Sequence, residues 1–272
     1  MWYLLAASLA ALSVNRYLGY FFLVITAFMG WEAQHLQIPA LILIGALVAA
    51  GVFIERFRNR STRYAYWLEG FCVLIAIALI LHLIPGFNNP KMLNAVTVGP
   101  QSVPFSMYFN FDKALVPFVL LIGISTLFVT QPVAKVGALA WCGLILAIPA
   151  LLMLAVILGG LKVELHAPGW FTQFALANLF FVSLAEEAFF RGYLQQRLTR
   201  FLHPFAALLI TAVAFGLMHY AGGPLLIYFA CLSGIIYGLA WMWSGRLWVA
   251  TLFHFGLNCV HLLFFTYPML KH

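Results

Sequence analysis

The chain alternates long apolar runs with short polar breaks, and the breaks cut it into helix-sized pieces. Residues 2–14 are apolar but short for a bilayer crossing, and Asn15-Arg16 separates them from a second run at 17–33. This stretch predicts either one long tilted helix or a tight hairpin. A span is expected at 38–54, ending in Glu55-Arg-Phe-Arg58-Asn-Arg60-Ser-Thr-Arg63. Another at 67–86 stops at Pro85-Gly86, a helix-terminating pair. The connection 87–113, rich in Asn, Pro, Ser and aromatic residues, shows no regular pattern of its own. A loop of that length is expected to be either a lid that shapes substrate entry or a plain surface connection. Further spans are expected at 114–130, 137–160, 172–202, 204–220, 224–243 and 247–268. The pattern predicts an all-α polytopic transmembrane helical bundle of about nine spans, with eight and ten as the limits.

Composition strengthens that reading. In 272 residues, 65% are hydrophobic, 8% are charged and the mean hydropathy is +1.02, which excludes an ordinary soluble domain. The chain is expected to be one membrane unit in the lipid bilayer, without a soluble appendage. The formal charge of +7 is spread through short connections, so a nucleic-acid partner is not expected. The arginines between 55 and 63 are the strongest orientation signal. Threading the spans with that loop in the cytoplasm leaves only Lys91, Lys113, Lys162 and Lys271 among the 14 basic residues on the opposite side. Cys72, Cys142, Cys231 and Cys259 lack metal-site spacing and are expected to be reduced core residues. The first apolar run lacks the basic start of a secretory signal.

Against this apolar background, Ser183-Leu-Ala-Glu186-Glu187-Ala-Phe-Phe-Arg191-Gly-Tyr193 places two carboxylates and an arginine inside one span. Charge in hydrocarbon costs about 2.5 to 3.5 kcal/mol per residue on insertion scales, so such residues are functional candidates by default. Glu187 and Arg191, four apart, share a helix face and suit an ion pair. Glu186 points about 100° away, on a stripe with Ser183, Phe190 and Tyr193, and is left for another partner or for water. The alternative is that both glutamates only tie helices together.

Two further polar pairs follow, Phe215-x-x-x-His219 and His254-x-x-x-Asn258, the second extended along its stripe by Thr251 and His261. If 172–202 and 204–220 form an antiparallel hairpin, Glu186 and His219 each lie roughly 22 to 26 Å from its turn at about 1.5 Å per residue, and so at one level. His254 starts nearer its own turn, so for it to meet them requires tilt or a shortened helix.

Glu-Glu-x-x-x-Arg at 186–191, Phe-x-x-x-His at 215–219 and His-x-x-x-Asn at 254–258, in that order within hydrophobic helices, resemble the three motifs of the CAAX protease and bacteriocin-processing (Abi) family. The resemblance covers about residues 170–265. It implies a catalytic core at 166–272 and leaves 1–165 as subfamily-specific helices. It further implies an intramembrane endopeptidase acting on a membrane-anchored peptide or protein. Glu186 and His219 would activate water, His254 and Asn258 would stabilise the oxyanion, and Glu187, Arg191, Phe215 and Tyr193 would support them. The chemistry stands on its own terms as well, since a carboxylate and histidine near an apolar cavity suit general-base work.

No His-Glu-x-x-His motif is present, and Asp112 is the only aspartate, which excludes an aspartyl dyad. Cys231-Leu-Ser233-Gly234 lacks the first glycine of a Gly-x-Ser-Gly nucleophile motif. A zinc-dependent protease built from Glu186, Glu187, His219 and His254 is the closer alternative. It is not favoured, because no two of these ligands have i, i+4 spacing, and no cofactor is expected. A proton-coupled transporter or a non-catalytic membrane scaffold is the alternative of another class. The expected location is the bacterial inner membrane.

Overall fold

The computed structural model describes residues 1–58 and 62–271, with the side chains of 54–63 excepted. Arg56, Arg58, Arg60 and Arg63, on which the orientation reading rests, therefore lie outside the described side chains. The N-terminal stretch takes the hairpin alternative, as helices Trp2–Leu12 and Arg16–Glu32. Asn15 starts the second helix by accepting hydrogen bonds from the N–H groups of Tyr17 (2.9 Å) and Leu18 (3.3 Å). Ser8 Oγ donates to the Gly19 carbonyl at 2.7 Å, and a Cβ on Gly19 would lie 2.9 Å from Leu12 Cα, so the missing side chain lets the two helices touch.

Helices Ile38–Arg58 and Thr62–Ile80 follow. The next connection is not patternless: Lys91–Val96 pairs antiparallel with Phe105–Tyr108 in a two-stranded sheet, so the bundle is not purely α. Its exit is anchored rather than loose. Phe109 and Phe111 are buried against Trp2, and Phe109 also against Phe181. The buried Asp112 is held by His82 (2.5 Å) and Asn89 (3.0 Å).

The apolar run at 114–130, expected as a span, forms the helices Phe111–Ala114 and Val116–Gly123 and then continues as irregular chain. Eight residues reach about 12 Å at 1.5 Å per residue, far short of a bilayer. This segment is apolar because protein surrounds it: Val116, Phe118 and Val119 are fully buried in the main core, which runs from Leu5 to Leu262. Among the described helices, Ala138–Ile157, Phe171–Leu198, Tyr220–Ser244 and Leu247–Phe264 are long and apolar enough to cross a membrane, and Trp2–Leu12, Ile38–Phe53, Tyr64–Ile80 and Pro204–Leu217 are shorter apolar helices. Their outer faces carry large apolar residues such as Leu139 (88% exposed) and Trp67 (76%), a surface suited to lipid. Cys142 also lies on such an outer face rather than in the core; all four cysteines are free.

Candidate active site

Glu186 and Glu187 lie in a helix that is not α throughout. Between Phe171 and Leu198, Ala177–Ser183 and Ala188–Gln195 are π-helical and flank the short α segment Leu184–Glu187. The wider π turn brings residues five apart towards one face, so Ser183 Oγ reaches Asn178 Oδ1 at 3.2 Å. Interruptions of this kind are frequent at functional sites.

Pro204 at the first turn and His203, whose Nδ1 accepts the Phe205 N–H, start a helix that ends at Leu217, with His219 immediately beyond it. The helix that separates His219 from the turn before His254, Gly223–Ser244, is not shortened at 22 residues, yet both histidines pack on the Phe215 ring. Gly234 and Gly238 let the neighbouring helix Gly223–Ser244 come close: a Cβ on Gly234 would lie 3.0 Å from Ala212 Cα, and one on Gly238 would lie 2.2 Å from Leu208 Cδ1. Their carbonyls are thereby exposed to the glutamate helix. Arg191 Nη2 donates to the Gly234 carbonyl at 2.9 Å and Gln195 Nε2 to that of Gly238 at 3.3 Å.

At the centre, the expected Glu187–Arg191 pair is present at 2.7 Å, with both side chains fully buried. The same Glu187 oxygen, Oε1, also receives His254 Nδ1 at 2.9 Å. Glu187 thus braces the His254 helix as well as its own. The Arg191 guanidinium lies 4.7 Å from the Phe215 ring centre and 5.2 Å from that of Tyr237, whose ring stacks on His254 at 4.6 Å. Phe215 also meets the His219 ring at 4.8 Å and the His254 ring, edge on, at 5.7 Å.

The two histidines are set to present the same nitrogen. A carbonyl only accepts, so the 2.9 Å contact of His219 Nδ1 with the Phe215 carbonyl puts the proton on Nδ1 and leaves Nε2 for other work. His254, donating from Nδ1 to the Glu187 carboxylate, likewise leaves Nε2. Asn258 Nδ2 donates to Asn178 Oδ1 at 3.2 Å, which fixes the amide orientation and leaves its second N–H. His219, His254 and Asn258 line one cavity of about 270 Å³, with Ser233, Tyr237 and His261 also in its wall.

Glu186 is half-buried and is not among the residues lining that cavity. No hydrogen bond engages its carboxylate among the described residues, although its charge is close enough to act on Arg191 and Tyr237. Tyr193 lies instead beside Glu69, which Arg197 holds with contacts of 2.6 and 2.5 Å. Glu186, Glu187, His219 and His254 do not come together as three or more metal ligands, and no other such group occurs among the described residues.

Sequence reasoning did not pick out Tyr237 or Asn178. A signal was available for each: Ser233 and Tyr237 share a face one turn apart in an apolar helix, and Asn178 is an amide set among apolar residues two turns ahead of the glutamates in theirs.

Residues 168–260 match a family model described as type II CAAX prenyl endopeptidase Rce1-like, and the match contains all three motifs. No curated protein and no solved structure matches the chain.

Proposed function

We propose, from the match of residues 168–260 to the type II CAAX prenyl endopeptidase Rce1-like model, that the chain is an intramembrane endopeptidase that cleaves a membrane-anchored peptide with water activated by Glu186 and His219. The family is one of proteases, and four apolar helices make an integral membrane protein; the bacterial inner membrane, the glutamate mechanism and the substrate are the finer parts of the proposal. The observation that carries it is the convergence of His219, His254 and Asn258 on one cavity whose wall is braced by Glu187 and Arg191.

In this mechanism Glu186, whose carboxylate makes no hydrogen bond among the described residues, takes a proton from water while His219 Nε2 holds that water. The new C–O bond forms at the scissile carbonyl, and the oxyanion is met by the free Asn258 N–H and by His254 Nε2. His254 Nε2 donates there when the ring carries both protons, its Nδ1 proton being held by Glu187. Collapse breaks the C–N bond, and the proton held by Glu186 passes to the leaving amine. Among the described residues the zinc alternative finds no converging set of three ligands, and no step is routed through a metal.

One observation favours a second reading: Glu187, not Glu186, bonds a cavity-lining histidine. In that reading Glu187 orients His254, and His254 Nε2 is the base. Purified protein in nanodiscs, assayed on membrane-anchored fluorogenic peptides, separates the two. The proposal expects Glu186→Gln to lower turnover by about 10² to 10⁴-fold at unchanged melting temperature. Near-normal turnover of Glu186→Gln, with Glu187→Gln stable but inactive, would select the second reading. Metal analysis of the same preparation, with a chelator titration, tests the zinc alternative.

A further inference from the structure

Part of the cavity wall comes from residues outside the family match. Beyond the helix Leu247–Phe264, residues 265–271 form a non-helical strap laid between two other segments, 99–103 and 160–166. On one side the Val103 N–H donates to the Met269 carbonyl (3.3 Å) and the Lys271 N–H to that of Gln101 (2.8 Å). On the other, the Thr266 N–H donates to the Lys162 carbonyl (2.9 Å) and the Leu270 N–H to that of Gly160 (3.3 Å).

A polar clip fastens the crossing. Ser102 Oγ accepts the Tyr267 N–H at 3.0 Å and donates to Glu164 Oε2 at 2.7 Å, while the Gln101 N–H donates to Glu164 Oε1 at 3.1 Å. His166 stands 3.0 Å from Glu164 Oε2 through Nε2 and 2.7 Å from the Leu262 carbonyl through Nδ1. Both ring nitrogens face acceptors, so the ring makes both bonds when it carries both protons.

The strap is thereby pressed against the cavity. Pro268, Met269 and Leu270 line it together with Gly160 and Leu161, in company with His219, His254 and Asn258. Leu270 is buried there (8% exposed), whereas Met269 is exposed. A cavity of about 150 Å³ holds a benzene-sized group, so the 270 Å³ found here takes one large hydrophobic side chain.

We propose that Leu270 sets the size of the substrate side chain that seats in this cavity, and that the Ser102–Glu164–His166 clip holds it in position. The inference rests on the endopeptidase reading, and its occupant is one hydrophobic side chain of the substrate peptide next to the scissile bond. One methylene of fit in an apolar pocket is worth about 10-fold or more in discrimination.

The test uses the full chain in nanodiscs and membrane-anchored peptides that differ at one position only: Ala, Leu, Phe or naphthylalanine. Both kcat/KM and equilibrium binding by fluorescence anisotropy are read. Leu270→Ala should move preference towards naphthylalanine by about 10-fold, and Leu270→Trp should move it towards Ala by a similar factor. Glu164→Gln, which leaves the cavity lining intact, should relax the preference in the direction of Leu270→Ala. If Leu270→Ala fails to fold, Leu270→Val reads the same series. Preference ratios within twofold of wild type in both Leu270 directions overturn the proposal. Binding keeps the two failures apart: size-dependent binding that follows Leu270, without turnover by wild type, sinks the endopeptidase reading alone, whereas normal turnover with unmoved ratios sinks only this inference.

Discussion

Changing Glu187 to Gln tests the buried brace directly. In the native structure one carboxylate oxygen accepts from Arg191 at 2.7 Å and from His254 at 2.9 Å, with Glu187 and Arg191 fully buried. The amide keeps the shape and one acceptor but removes the negative charge, leaving Arg191 as an uncompensated buried cation. Breaking a buried pair from one side costs about 3 to 5 kcal/mol. Here the guanidinium keeps the Gly234 carbonyl and the faces of Phe215 and Tyr237, contacts worth about 0.5 to 2 kcal/mol when desolvated. The cation in the variant is thus not stripped of every partner, and the low end of that range, about 3 kcal/mol, is expected. At roughly 2 to 4 °C per kcal/mol for chains near this size, that corresponds to a melting temperature lower by about 6 to 12 °C. Adding Arg191→Met removes the stranded charge, so the double variant should recover most of the loss. Thermal unfolding in detergent, followed by tryptophan fluorescence, reads all three proteins. A Glu187→Gln protein that melts with wild type, or a double variant no more stable than the single one, would refute the brace.

Phe111→Ala should destabilise by about 3 to 5 kcal/mol in the same melt rather than alter substrate choice, because the ring is 1% exposed and packs on Trp2 and Phe87. Gly234→Ala should cost about 1 to 3 kcal/mol, since the new methyl would sit 3.0 Å from the Ala212 backbone and push that helix away from the carbonyl Arg191 uses. The Glu164 carboxyl is opposed by burial, but the hydrogen bonds from Ser102 and Gln101 and the facing His166 outweigh it and hold its pKa below the ordinary value. A depressed folded pKa contributes stability that is full above the unfolded value and is lost as pH falls through the folded one. Hydrogen exchange of residues 265–271 should therefore quicken as pH is lowered below the ordinary glutamate range, after correction for intrinsic rates, and Glu164→Gln should remove that pH dependence.

The apolar runs, the hairpin through Pro204 and the Glu187–Arg191 pair were legible because each depends on neighbours in sequence: hydropathy, a fixed ring and an i, i+4 spacing. The ordered motifs resembling the family were legible for the same reason, and the match over 168–260 agrees with them. The short buried helix Val116–Gly123 was not, because hydropathy records that a side chain avoids water and is silent on whether lipid or protein covers it. Nor were the strands between 91 and 108, whose partners are apposed only after the connection folds back. At the site, a 3.6-residue period separated the faces of the two glutamates correctly around Glu187 and Arg191, yet it has no term for the π turns that bring Asn178 beneath Ser183 and within reach of Asn258. Periodicity says which residues share a helix face; which faces meet is decided by packing. That is why a carboxylate read as the partner of its own helix's arginine is also the partner of a histidine 67 residues away.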